Sequence, residues 1–220
     1  AVEAYLGKDY DIATHFTPKY RPWRQRIAFI PDGDLFQGIK SGKASVVTDE
    51  IDRFTEKGIL LKSGKELEAD IIVTATGFNL CATGDIEFAV DGKPLDFADT
   101  VTYRGMMFTG VPNLVWVFGY FRASWTLRVD LVADFVCRLL THMKATGVEK
   151  VTPELRPEDH NMPLLPWIDP ENFNPGYMMR GMHLLPKRGE KPEWQHNQDY
   201  WAEKDEFPNI DLKDKAFVYG

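Results

Sequence analysis

The sequence predicts an α/β fold closed by a proline-rich tail that wraps the preceding residues, and three observations carry that expectation. Asp70-Ile71-Ile72-Val73-Thr74-Ala75 is apolar without alternation, the pattern of a strand buried on both faces in a parallel sheet. Residues 124–144 place apolar side chains at helical spacing over about six turns. From Pro153 to Pro208, prolines recur every few residues and leave no room for a long helix or a wide sheet.

Taken in order, residues 1–26 are polar and aromatic. Pro18 and Pro22 forbid a continuous helix there, so an extended linker entering a turn is expected. Ala44–Thr48 and Ile51–Thr55 read as short strands. Lys57-Gly58 and Ser63-Gly64 punctuate a meander around Ile59-Leu60-Leu61. After the run at 70–75, a second buried strand is expected at Leu114–Phe118, following the Pro112-Asn113 turn. The helix over 124–144 should bury one stripe made of Leu127, Leu131, Val132, Phe135, Val136, Leu139, Leu140 and Met143. Ser124 or Thr126 offers a capping hydroxyl, and Gly147 a stop. In the tail, Trp167, Tyr177, Trp194, Tyr200 and Trp201 are the expected anchors.

Composition narrows the function. With 44% hydrophobic and 27% charged residues the chain can build a core. A net charge of −7 argues against a nucleic-acid surface, which needs clustered Lys and Arg. No apolar run approaches the roughly 20 residues of a membrane span, and Ala1-Val2-Glu3 does not open a signal peptide. A cytoplasmic location is expected. Cys81 and Cys137 lack metal-ligand spacing and read as buried thiols of a reducing compartment. The five histidines show no ligand spacing, so no metal site is expected.

Two stretches invite chemistry. Ala75-Thr76-Gly77 ends the predicted buried strand, where ligands sit in open α/β sheets and where glycine lets the backbone approach closely. Gly119–Thr126 runs from a predicted strand into a helix start, whose unpaired N–H groups and partial positive charge suit an anion.

Residues 33–78, ending in Leu67-Glu68-Ala69-Asp70-Ile71-Ile72-Val73-Thr74-Ala75-Thr76-Gly77-Phe78, resemble the class B flavoprotein monooxygenases. The resemblance extends through Gly110-Val111-Pro112-Asn113-Leu114 and Gly119-Tyr120-Phe121-Arg122-Ala123-Ser124-Trp125-Thr126. It reaches Pro175-Gly176-Tyr177-Met178-Met179-Arg180, Leu185-Pro186-Lys187 and Trp194-Gln195-His196-Asn197-Gln198-Asp199-Tyr200. Among subgroups the chain is similar to the Baeyer–Villiger monooxygenases that include a mycobacterial activator of thioamide prodrugs.

That resemblance implies the C-terminal part of a flavoprotein with two dinucleotide-binding domains, using FAD and NADPH. Residues 1–26 would end the NADPH domain and carry the linker, 27–150 would belong to the FAD domain, and 151–220 would be the extension. Arg26 would be the catalytic arginine beside flavin and nicotinamide, stabilising a C4a-peroxyflavin that attacks a ketone or oxidises the sulfur of a thioether or thioamide. A guanidinium suits that role because it stays charged and offers a rigid fork of donors. Gln25 stands where relatives often carry a lysine that holds the NADP phosphate, so this sequence departs from the pattern there. Thr76, Gly77, Phe78, Ala123, Ser124 and Trp125 would line the cofactor. No G-x-G-x-x-G turn occurs in the 220 residues. The phosphate cradles are therefore expected upstream, in a missing N-terminal half, and the chain alone is expected to be an incomplete site. Two alternatives stand beside this: an N- or S-oxidising flavin monooxygenase, and a truncated chain acting as a binding or assembly piece.

Overall fold

The computed structural model describes residues 2–220, which form two compact units divided between Phe78 and Asn79. Short elements make up the first. Helices α1 (Val2–Leu6), α2 (Ile12–His15) and α3 (Asp34–Lys40) precede a three-stranded antiparallel sheet of β1 (Ile51–Phe54), β2 (Gly58–Leu61) and β3 (Glu66–Glu68), in that order. Its apolar centre is a small aromatic cluster in which Phe36 meets Tyr5 at 5.2 Å and Phe16 at 5.7 Å between ring centroids. Gly58 opens β2 because nothing larger fits: a Cβ there would lie 2.0 Å from the Leu67 carbonyl oxygen. The chain turns at Arg21–Arg24, closed by the Arg24 N–H on the Arg21 carbonyl at 3.1 Å, as the two prolines lead one to expect.

Two expectations fail in this unit. Ala44–Thr48 has no strand structure; Lys43 and Ala44 instead donate to the Gly38 carbonyl and close the end of α3. Residues 70–75 are likewise irregular, with Ile71 at 81% and Val73 at 82% exposure. The ladder stops at the Ala69 N–H on the Lys57 carbonyl, and no described strand lies alongside the run that follows. An apolar run becomes a strand only when a neighbour accepts its hydrogen bonds.

The second unit joins the long helix α4 (Trp125–Thr146) to four two-stranded ladders. β4 (Ala89–Val90) pairs with β5 (Lys93–Pro94), and β6 (Thr102–Tyr103) with β7 (Met107–Phe108). Beyond α4, β8 (Val151–Pro153) pairs with β11 (Phe217–Tyr219), and β9 (Leu164–Pro166) with β10 (Lys187–Gly189); α5 (Gly176–Gly181) and α6 (Tyr200–Glu206) complete the set. Among the described residues every strand pair is antiparallel, so the mixed helix and strand content is present without the expected parallel sheet. Leu114–Phe118 is extended but not a strand: its one backbone bond to another segment is the Trp116 N–H on the Met106 carbonyl at 2.7 Å. Its side chains still alternate. Val115 and Val117 pack with the α4 core, while Trp116 and Phe118 enter an aromatic cluster.

α4 ends where expected, at Gly147 with φ 73°. The buried stripe is narrower than its apolar residues suggest: Val132, Phe135, Leu139 and Met143 are buried, whereas Leu140 is 58% exposed. Arg128, which the apolar pattern passes over, occupies the first buried position. Neither hydroxyl caps the backbone, since Ser124 Oγ and Thr126 Oγ1 bond each other at 2.7 Å.

The tail supplies core. Trp194, Phe207, Ile210 and Phe217 pack against α4, and Trp167, Ile168, Phe173 and Met178 form a second cluster with Phe118 and Phe121. Of the predicted anchors Trp167 and Trp194 are buried, Tyr177 and Tyr200 half-buried, and Trp201 is 72% exposed. The prolines stand where they do least harm, ending β8 and β9 and opening the short 3₁₀ turns at Pro157 and Pro192. Both cysteines are exposed, against expectation: Cys137 falls on the outer face of α4, and Cys81 donates to Asp85 Oδ1 at 3.2 Å from a loop. No helix among the described residues is long and apolar enough to cross a membrane.

Candidate functional site

The Gly119–Ser124 turn leads into the best-organised polar site in the molecule. Gly119 lies under the Trp125 indole, where an added Cβ would stand 2.2 Å from Cγ of that ring. The turn is then held from the tail. Phe121 donates its N–H to Gln198 Oε1 at 2.7 Å, and Gln198 Nε2 lies 3.3 Å from His196 Nδ1. His196 Nε2 lies 2.5 Å from the Trp167 carbonyl, which can only accept, so Nε2 carries the proton and Nδ1 accepts from Gln198. The relay is closed by rings: His196 packs on Trp167 at 4.2 Å, and Phe121 stacks on Phe173 at 4.4 Å.

Burial pushes the His196 imidazole down to about 4 against the opposing carbonyl bond, with the Arg128 and Arg188 charges adding to the fall. A depressed folded value means that stability is complete above the unfolded value near 6.5 and is lost as pH falls towards 4. The second unit should lose up to about 3 kcal/mol over that window. Urea unfolding of wild type and His196→Gln at pH 7 and pH 4.5 checks this, and an equal pH slope in both would refute it.

Beneath the turn lies a buried ion pair. Arg128 reaches Glu203 through Nε at 3.0 Å and Nη2 at 3.1 Å, and Tyr120 donates its hydroxyl to the same carboxylate at 2.6 Å. Burial and the bond to Glu203 push the Tyr120 phenol well above its ordinary range. Beside the turn is a cavity of about 570 Å³ lined by Phe121, Phe173, His196 and Gln198, with Arg104 and Arg188 at hand. Its size suits a small organic molecule.

At the surface of this framework the start of α4 is open. Its first turn holds no acidic residue, its N-cap side chain makes no bond to the backbone, and Ala123, Ser124 and Trp125 are exposed. Arg122 flanks it, donating to the Asn172 carbonyl at 2.6 Å and lying 5.9 Å from the Phe173 ring centroid. The structure thus gathers three of the sequence-predicted site residues on one helix start. The others belong to the first unit: Gln25 is half-buried and Arg26 exposed just after the Arg21–Arg24 turn, while Thr76, Gly77 and Phe78 are exposed at its end, Gly77 with φ 89°. The apolar pattern passes over Arg128 and the tail gives no sign of Glu203, while the resemblance covers His196 and Gln198 without assigning them a role. The signal for Arg128 is an arginine interrupting the apolar stripe of a strongly periodic helix.

No protein-family model and no solved structure matches the chain. Curated proteins do. The FAD-containing monooxygenase EthA of Mycolicibacterium smegmatis is 47% identical over 196 residues, covering 89% of this chain and 39% of that protein. EthA of Mycobacterium tuberculosis H37Rv is 46% identical over 199 residues, covering 90% and 40%. This chain is a homologue of the FAD-containing monooxygenases. A further relative of these flavoproteins, named as a probable FAD-binding monooxygenase, AlmA, from Acinetobacter baylyi, is 43% identical over 214 residues, covering 97% of this chain and 42% of its own length. The chain therefore spans about 40% of the length of these monooxygenases while matching them nearly end to end.

Proposed function

We propose that this chain is the C-terminal part of an FAD- and NADPH-dependent monooxygenase of the Baeyer–Villiger type, acting on a ketone or on the sulfur of a thioether or thioamide. The observation that carries the reading is the uncapped start of α4, acid-free in its first turn and presented by a rigid turn, in a chain homologous to FAD-containing monooxygenases.

The donor set fits part of FAD. The uncapped first turn of α4, where Trp125 and Thr126 are exposed, complements the negative edge of a reduced flavin ring, and Gly77 leaves open space where a side chain would stand. Neither unit offers a glycine-rich phosphate cradle among the described residues. We assign the pyrophosphates of FAD and NADPH to the rest of a longer polypeptide, with residues 1–26 as linker, 27–150 as FAD-domain residues and 151–220 as extension.

Oxygen activation is supplied by the bound flavin once NADPH has reduced it. This chain's residues supply binding and electrostatics. In the second unit the first-turn N–H groups of α4 would hold the anionic edge, with Ser124 and Trp125 shaping its surroundings; in the first unit Thr76, Gly77 and Phe78 would meet the cofactor. Arg26 would contribute fixed positive charge that stabilises the negatively charged reacting group. Gln25 offers the NADP phosphate a neutral donor in place of a cation.

Arg26→Ala in the full-length flavoprotein should oxidise NADPH normally while forming ester from ketone about 10²–10³-fold more slowly. Gas-chromatographic ester yield against NADPH consumption measures the split. Undiminished ester formation would remove Arg26 from the reaction. Loss of sulfur oxidation in step with ester formation would show one site serving both substrates, whereas retained sulfur oxidation with no ester in wild type favours the N- or S-oxidising reading.

A further inference from the structure

Arg128, the fourth residue of α4, is fully buried where helical periodicity expects an apolar side chain. All five of its N–H donors are used. Two meet the oxygens of Glu203 at 3.0 and 3.1 Å, and Nη1 reaches the carbonyls of Phe118 at 2.9 Å and Gly105 at 3.3 Å. The last, from Nη2, reaches the Arg104 carbonyl at 2.6 Å. Glu203 Oε2 also accepts the Tyr120 hydroxyl at 2.6 Å. Gly119 is thereby clamped on both sides, through the carbonyl before it and the side chain after it, against an indole that permits no Cβ.

Packing alone does not ask for this arrangement, because apolar side chains of similar volume fill such a space at equal or better stability. What the ion pair adds is a direction. It ties the backbone just before α4 to the first turn of α4 itself and to α6, so the turn and the helix start move as one piece.

We infer that Arg128 and Glu203 are positioning residues for the flavin, acting through the Phe118 carbonyl and the Tyr120 phenol to aim the first-turn N–H groups of α4 at the negative edge of the reduced ring. The inference rests on the flavin-facing reading of α4 given above. Neither side chain touches the cofactor. Their effect is preorganisation: dipoles already held in place stabilise a charge without having to reorient when it forms.

The readout is the midpoint potential of bound FAD in the loaded full-length flavoprotein, which a purely structural role would not move. Arg128→Met/Glu203→Met should weaken the preference for reduced over oxidised FAD about tenfold, a fall of about 30 mV for a two-electron couple. Tyr120→Phe, which removes one hydroxyl and leaves the ion pair, should shift the potential the same way by less, and it decides the matter if the double variant does not fold. Ser124→Glu tests the underlying reading separately, because a carboxylate at the helix start opposes the reduced flavin directly. A lowered potential in Ser124→Glu with none in Tyr120→Phe or the double variant overturns the positioning role and leaves the flavin-facing reading standing. An unmoved potential in Ser124→Glu overturns both.

Discussion

Glu203→Ala is expected to destabilise the second unit by about 3–5 kcal/mol, because it strands a fully buried guanidinium without its counter-charge. The side chains of Arg128 and Glu203 are 0% and 2% exposed, so water cannot take over the lost bonds. Tyr120 loses its acceptor in the same step and leaves a second unmatched donor. In thermal melts this should appear as a fall of ten degrees or more, at about 3–5 °C per kcal/mol for a unit of this size. Arg128→Met/Glu203→Met should recover most of the loss, since removing both charges removes the burial penalty with them. A single-variant loss below about 1 kcal/mol would place the pair in solvent and contradict the buried geometry.

The next largest effect is expected at Asp159. Its carboxylate is fully buried and gathers Arg156 Nε at 2.6 Å, Trp194 Nε1 at 2.8 Å and the Lys191 ammonium. Burial alone would raise its pKa, but the bonds from Arg156, Lys191 and Trp194 outweigh that and hold the carboxyl below the usual carboxylate range. The cluster joins the 157–159 turn to the 192–194 turn, and Arg156 extends it to Glu193. Asp159→Ala should therefore cost about 3 kcal/mol, leaving the indole N–H of a core tryptophan unmatched and taking the shared carboxylate from Arg156 and Lys191, of which Arg156 keeps Glu193. A depressed folded value places the contribution above the unfolded value near 4, and it disappears as pH falls through the folded one. Wild type and variant should then converge in urea midpoint only at strongly acidic pH; convergence already at pH 6 would exclude the carboxylate as the source.

How far the sequence foretold this molecule follows from what each residue depends on. α4 was legible because its spacing, its start near Ser124 and its glycine stop are local properties. So was the meander at 51–61, whose turns carry their own signal. The run at 70–75 is not a strand here because a strand is a property of two segments, and its sequence records only one of them. The partners of the tail are hidden for the opposite reason. Its prolines announce interruption, and nothing local reveals that Trp194 and Phe217, 23 positions apart, meet in one core with α4. In the candidate site, motif similarity selected the helix start and Arg26. The groups that hold that start in place, Glu203, Gln198 and His196, lie some 70 to 80 positions away, and no spacing within the tail shows that folding brings them to it.

The exposed stretch from Ile71 to Gly77 has a consequence for how this chain meets other extended segments. It contains no proline, places Ile71 and Val73 on one side of an extended chain and Ile72 on the other, and joins no described ladder. Such a window is a template for pairing with any other extended chain. It carries no charge of its own, and Asp70 stands just before it. A strand laid against it would supply hydrogen-bond partners to its backbone and cover Ile71 and Val73 together.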